Sequence, residues 1–167
     1  MSRTVRAPVE ADHARVLAVL DSWWGGFAGA DGTRQRAALL PRLYFQHFTD
    51  TSRIVEDDGA LVAFLIGFLS PARPDEAYVH FVGVDPARQG QGLGRDLYEW
   101  FFALARGRGR TVVRAITSAG NAGSHAFHTR MGFVAQPGPR QFEGRPVQPD
   151  YDGPGLDRVA FVRHLEA

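Results

Sequence analysis

The stretch Ala77–Arg95, AYVHFVGVDPARQGQGLGR, decides how the chain is read. AYVHFVGV is rich in β-branched and aromatic residues and predicts a strand ending at Val84. Asp85-Pro86 marks a turn. Three glycines, Gly90, Gly92 and Gly94, then alternate with Gln91 and Leu93, and a helical pattern starts at once. The N–H groups of a helix's first turn have no internal acceptor, and the aligned peptide dipoles favour negative charge there. Glycine lets the main chain come close to a ligand and costs little where φ is unusual. Strand, glycine turn and helix start together predict a site for a phosphate-bearing ligand.

Three glycine-rich templates compete for this segment. The P-loop requires G-x-x-x-x-G-K-[ST], and the chain has no lysine; all 19 basic residues are arginine. The dinucleotide fingerprint G-x-G-x-x-G also fails, because its third glycine would fall on Arg95 or Leu97. The acidic residue expected about 20 positions later is missing from TVVRAIT. An NAD-type module is therefore a remote rival. Q-x-x-G-x-G does fit, through Gln89, Gly92 and Gly94. Beyond the strand-like TVVRAIT, the pattern N-x-x-[AS]-x-x-[FL]-[YH]-x-x-x-G-F is met by Asn121, Ser124, Phe127, His128, Gly132 and Phe133. Two motifs in this order and at this separation resemble the GNAT superfamily of acyl-CoA N-acyltransferases. The resemblance is close over residues 77 to 134 and loose over the rest. Most members carry tyrosine where this chain has His128; the Phe-His pair resembles one branch.

Length and composition agree with such a chain. At 167 residues and 18.4 kDa it can bury one real core, and 44% hydrophobic residues predict folding rather than disorder. Cysteine is absent, which removes disulfides, thiol nucleophiles and the best zinc ligands. His125 and His128 could face one way on a helix, but no third ligand is apparent, so no metal is expected. MSRTVRAPVE contains no apolar core of a secretory signal, and the longest apolar run, ALVAFLI, is far short of the roughly 18 residues of a membrane helix. A soluble cytoplasmic protein with no membrane partner is expected. A net charge of +1 argues against nucleic acid as the partner.

Along the chain, strands are predicted at Thr4–Ala7, Thr51–Glu56, Leu61–Leu69, Tyr78–Val84, Thr111–Thr117, Phe133–Gln136 and Leu156–His164. Asp57-Asp58-Gly59 signals a hairpin turn, and Leu61–Leu69 reads as buried on both faces. Helices are predicted at about Glu10–Trp24, Arg34–Phe48 (divided near Pro41), Gly92–Arg106 and Ala122–Met131. Pro137–Gly155 reads as loop. The order β-α-α-β-β-β-α-β-α-β-β predicts a mixed α/β protein with helices on both sheet faces. The resemblance implies a GNAT-like, mostly antiparallel seven-stranded sheet with a splay between strands four and five, and a single N-acetyltransferase domain over residues 1–167.

The resemblance further implies acetyl-CoA as cosubstrate and direct attack by an amine, of a small molecule in this reading, in a ternary complex. The diphosphate falls to the backbone of Gln89, Gly90, Gln91, Gly92, Leu93, Gly94 and Arg95, with Arg88 and Arg95 adding charge. Main-chain groups around Val82, Gly83 and Val84 would hold the pantetheine and the acetyl carbonyl; an N–H aimed at a developing oxyanion contributes roughly 3 to 4 kcal/mol in other enzymes. Asn121, Ser124, Phe127 and His128 are implied CoA contacts.

An amine is mostly protonated at neutral pH and needs a base. Tyr78, His80 and Val82 share a strand face, so His80 lies beside the backbone that would hold the thioester. Its ordinary pKa of about 6.5 suits a base, yet it reads equally as a core histidine. Glu76 is a weaker candidate, and Asp85 reads as a turn residue. His128 is implied as the acid that protonates the departing thiol, or as mere packing; Tyr151 is an alternative phenol. For the acceptor, the first helices and the late loop offer Trp23, Trp24, Phe27, Tyr44, Phe45, His47 and the acidic tip Asp150-Tyr151-Asp152; Trp24, Tyr44, Tyr78 and Tyr151 are the substrate-binding candidates. A homodimer is compatible with the family. The rival function is a catalytically silent acyl-CoA sensor of the same fold.

Overall fold

The computed structural model describes residues 2–166 and falls into two compact units. The first holds the chain up to Phe68 together with His80–Phe101; the second holds Leu69–Val79 and the chain from Phe102 onward.

In the first unit, β1 (Arg3–Arg6), β2 (Arg53–Asp57) and β3 (Ala60–Leu69) form an antiparallel run, with Arg3 opposite Asp57 and Ile54 opposite Phe64. The β2–β3 turn is the expected one: Asp58 and Gly59 both take positive φ, at 49° and 82°. Two consecutive left-handed residues match the right-handed twist of the flanking strands. Residues Val62–Ile66 of β3 are buried in succession. Phe64 and Ile66 join Val16 and Leu20 of α1 (Asp12–Val19) and its end, Leu40, Phe45 and Ile54 in one cluster. Ala63 and Leu65 point to the opposite face and are equally buried, so β3 is covered on both sides. Leu93, Leu97, Tyr98 and Phe101 of α4 (Leu93–Gly107) are buried at helical spacing.

The second unit holds β5 (Val112–Ser118), α5 (Ala122–Arg130), β6 (Val134–Ala135), the hairpin β7 (Arg140–Phe142) and β8 (Arg145–Val147), and β9 (Arg158–His164). β9 pairs antiparallel with β5 along its whole length and with β6 at Val162 and Phe161. The chain runs between units through β4 (Glu76–Val84) and α4. The seven-stranded sheet has the order β1-β2-β3-β4-β5-β9-β6. β4 and β5 are parallel, and their recorded register is short, from Glu76 opposite Val112 to Tyr78 opposite Arg114.

Three stretches differ most from expectation. The first helix ends at Val19, and Ser22–Trp24 is a separate 3₁₀ turn closed by left-handed Gly25. The second begins earlier, as α2 (Gly29–Ala38), because Ala28 and Gly29 both take positive φ and re-aim the chain; only Tyr44–His47 (α3) is helical after Pro41. The stretch read as loop, Pro137–Gly155, contains β7 and β8. Their turn is Glu143-Gly144 with φ of 50° and 80°, a left-handed pair that glutamate disguises. Among the described residues no helix is long and apolar enough to cross a membrane.

Candidate functional site

β4 leads directly into the glycine turn. The Asp85 N–H donates to the Val62 carbonyl at 2.9 Å, and the Asp85 carboxylate accepts from the Ala87 N–H at 2.9 Å, closing a 3₁₀ turn at Pro86–Arg88. Asp85 is thus the turn residue it was read to be. Gly90 and Gly92 follow with φ of 82° and 78°. A side chain at either position would meet nothing within 4 Å, so backbone conformation alone demands glycine there. The Asp96 N–H to Gly92 carbonyl bond, 2.9 Å, starts α4. Gln89, Gly90, Gln91, Gly92 and Arg95 are all exposed, while Leu93 is buried, so the turn itself lies at the surface. This suits the diphosphate of CoA: a surface turn, room above the glycines, and the positive end of a fifteen-residue helix.

Arg88 does not stand ready for phosphate as expected. Its guanidinium pairs with Asp57 at 2.9 Å, and Asp57 also takes two bonds from Arg3 at 2.7 and 2.8 Å. Arg3 in turn donates to the Gln91 side chain at 3.0 Å. The Arg3 hydrogen bond holds the Asp57 carboxyl below the usual carboxylate range. Sequence reading missed this network, since Arg3 and Gln91 lie 88 positions apart and no motif joins them.

Gly83 is a different kind of glycine. A Cβ there would lie 2.5 Å from the Phe64 ring and 2.9 Å from Trp24, so its absence lets both rings close on β4. Trp24 also meets Phe81 edge-on at 5.4 Å, and the Arg36 guanidinium lies 5.6 Å from its centroid. Arg36 is buried and bonds the Leu20 and Phe27 carbonyls at 2.9 and 3.0 Å, bracing the segment that carries Trp24.

His80 Nε2 donates to the Leu39 carbonyl at the end of α2. A carbonyl only accepts, so the neutral ring keeps its lone pair on Nδ1. The ring stacks on Tyr44 with centroids 4.4 Å apart and planes 11° from parallel. Burial raises the Tyr44 phenol above its ordinary pKa. The structure therefore brings Tyr44, His80, Phe81 and Trp24 into one aromatic chain, with Tyr44 on His80, His80 on Phe81 and Phe81 on Trp24. Glu76 is a poor base. Arg114 sits 2.9 Å from its carboxylate, and that ion pair keeps it ionised to lower pH than an ordinary glutamate.

The second motif is built from side chains. Asn121 caps α5, its Oδ1 accepting the Ser124 N–H at 3.0 Å. His128 Nδ1 donates to the Ser124 carbonyl at 2.7 Å, and the Ser124 hydroxyl lies 3.2 Å from the same nitrogen. The ring stacks on Phe161 at 4.7 Å and meets Phe133 and Phe127 edge-on at 5.3 and 5.9 Å. Only 7% of His128 is exposed. Burial lowers its pKa, outweighing the Ser124 carbonyl, so the neutral ring prevails. This weighs against the expected histidinium acid, since a neutral ring with its proton on Nδ1 carries none on Nε2. Among the described residues no group of three or more potential metal ligands gathers.

The acceptor candidates divide. Phe45 is core, Trp23 stacks on Phe64 at 6.0 Å, Phe27 and His47 are exposed, and Tyr151 is 49% exposed. Tyr78 faces Arg114 in the β4–β5 register. The acidic tip also makes bonds within its own loop. Asp150 accepts the Gly155 N–H at 2.7 Å, Asp157 accepts the Asp150 N–H at 2.8 Å, and Asp152 pairs with Arg158 at 2.8 Å. These aspartates shape their own loop.

Comparison with known proteins agrees with this geometry. L-2,4-Diaminobutyric acid acetyltransferase of Nocardia farcinica (strain IFM 10152) is 33% identical over 85 residues, 51% of this chain and 44% of that protein. The chain spans about half or less of the length of the curated relatives it matches first. In fold, the chain is similar to Ard1 from Thermoplasma volcanium, with a TM-score of 0.75 at 18% identity and full coverage of both chains. It is also similar to diaminobutyrate acetyltransferase EctA from Paenibacillus lautus, solved in complex with L-2,4-diaminobutyric acid and coenzyme A. There the TM-score is 0.71 at 19% identity, over 96% of this chain and 93% of the other. Residues 16–133, well over half of the chain and including both motifs, match the Acetyltransferase (GNAT) family, and the chain belongs to it.

Proposed function

We propose that the protein transfers an acetyl group from acetyl-CoA to the amine nitrogen of a small molecule, by direct attack in a ternary complex. The observation that carries this reading is the open turn Gln89–Arg95, with left-handed Gly90 and Gly92 leading from β4 into α4. Its main-chain amides are the groups that would grip the diphosphate, with no side-chain cation required. The family match runs through residues of both units, which supports a single catalytic domain. The relatives named for diaminobutyrate support a small amine as acceptor.

When bound, acetyl-CoA supplies an activated acetyl thioester. Main-chain groups of Val82, Gly83 and Val84 would orient it, and an N–H in that strand would face the carbonyl oxygen as negative charge develops. The N–C bond forms as the C–S bond breaks; the amine gives up a proton and the sulfur takes one. His80 Nδ1 is the proposed acceptor of the amine proton, because the Leu39 carbonyl fixes the other ring nitrogen as the donor. Trp24, Tyr44 and Tyr78 are proposed to bound the acceptor, and Tyr151 to approach it from the late loop. Asn121, Ser124 and Phe127 are proposed CoA contacts. His128 is assigned to packing, and the proton for sulfur is not drawn from it.

Calorimetric titration with CoA, followed by free-thiol release from acetyl-CoA over an amine panel that includes L-2,4-diaminobutyrate, tests the reading. Binding plus acceptor-dependent thiol release is expected; a chain that fails to bind CoA ends it. A second reading, a silent acyl-CoA sensor, draws on the burial of His128 and its lowered pKa, which leave it poorly placed to deliver a proton. Tight binding without release on any amine would establish that alternative.

A further inference from the structure

We propose that Asp57, which lies outside both motifs, is a positioning residue for the diphosphate-gripping turn. The inference rests on the CoA reading above. The Asp57 side chain ends β2 and is 1% exposed. Oδ1 takes the Arg3 Nε–H at 2.7 Å; Oδ2 takes Arg3 Nη2 at 2.8 Å and Arg88 Nη1 at 2.9 Å. Arg88 is the residue immediately before Gln89. Arg3 carries the link onward, its Nη2 donating to Gln91 Oε1 at 3.0 Å. One carboxylate on a sheet strand therefore fastens the glycine turn at two points, Arg88 on its threshold and Gln91 between its glycines.

Such fastening has a physical purpose. Gly90 and Gly92 make the turn conformationally free, and a free turn loses entropy each time its amides converge on a ligand. A turn already held in the gripping shape loses less, and binds tighter for the same contacts. Asp57 also occupies the two guanidiniums. The grip is left to main-chain amides, and the arginines act as struts.

Asp57→Asn keeps the shape and removes the charge that holds both arginines. Loss of a charge-assisted bond weakens binding by about tenfold. The expected result is a Kd for CoA, by calorimetry, and a KM for acetyl-CoA that both rise about tenfold, with kcat at saturation retained. Acetyl-pantetheine, which lacks the diphosphate, serves as the control donor; its turnover should stay within about twofold of wild type. Equal loss on both donors would overturn the proposal, because Asp57 would then only support the fold. Tighter CoA binding would overturn it too, since the freed arginines would be gripping phosphate themselves. Arg3→Met cuts the Gln91 link and leaves Arg88 paired with Asp57. A rise of about threefold in the CoA Kd is expected, and no change would sink the idea even where the Asp57 variant fails to fold. A wild-type chain that does not bind CoA would defeat the functional reading before any variant is made.

Discussion

Between Gln89 and Arg95 the motif is main chain: a surface turn, two left-handed glycines, and open space where their side chains would be. Between Asn121 and Phe133 it is side chain: an Asn cap, a histidine bonded to a carbonyl, and a cage of phenylalanine rings. The two histidines sharpen the contrast. His80 and His128 each donate a ring N–H to a backbone carbonyl. His80 remains partly exposed against Tyr44, whereas His128 is sealed among rings. A motif can recur in a family because a ligand needs it or because packing needs it, and burial tells the two apart.

The largest test of that contrast is catalytic. His80→Ala should lower kcat by about 10²- to 10⁴-fold and remove the acidic limb of the rate profile. Full rate with an unchanged profile would make His80 a packing residue and not a base. On the proposed packing role, the matching His128→Phe variant should keep turnover within about threefold; a larger loss would return the acid role to His128.

Acid titration separates the pair next. Burial, with a smaller push from His125, holds His128 below its ordinary 6.5, and His125 is lowered mainly by burial as well. The unfolded chain takes up protons near pH 6.5 that the fold resists, so stability should fall as pH drops from 7 toward 5. The slope is at most about 1.4 kcal/mol per pH unit for each histidine. His128→Phe should flatten the melting-temperature profile over this range; an unchanged slope would show that His128 accepts a proton in the fold.

Glycine and cap variants probe the two constructions at smaller amplitude. Gly92→Ala meets no atom but forces a left-handed alanine, at a cost of about 1–2 kcal/mol; weaker CoA affinity should exceed any change in acetyl-pantetheine turnover. Asn121→Ala removes a helix cap and should lower stability by about 1 kcal/mol, read as a drop in melting temperature.

Much of this was legible from residue types because their effects are local. Three alternating glycines implied a turn of unusual backbone, which the positive φ of Gly90 and Gly92 supplies; an apolar run implied a doubly covered β3, and Asp57-Asp58-Gly59 implied the hairpin. The hairpin at Arg140–Val147 stayed hidden, because its strands are three residues long and a glutamate holds the left-handed turn position. The start of α2 stayed hidden because GADG reads as a breaker, while Gly32 is there to admit the Phe27 carbonyl, 2.3 Å from where a Cβ would lie.

Sequence alone determined the family, the glycine turn and the position of both histidines, since each follows from residues within a few places of one another. Tertiary structure decided what those residues can do. The burial of His128 among Phe133 and Phe161, the bond of His80 to the Leu39 carbonyl and the hold of Asp57 on Arg3 and Arg88 depend on atoms brought together from distant positions. Hydrogen bonding and desolvation act over a few ångströms of space, and distance along the chain says little about that.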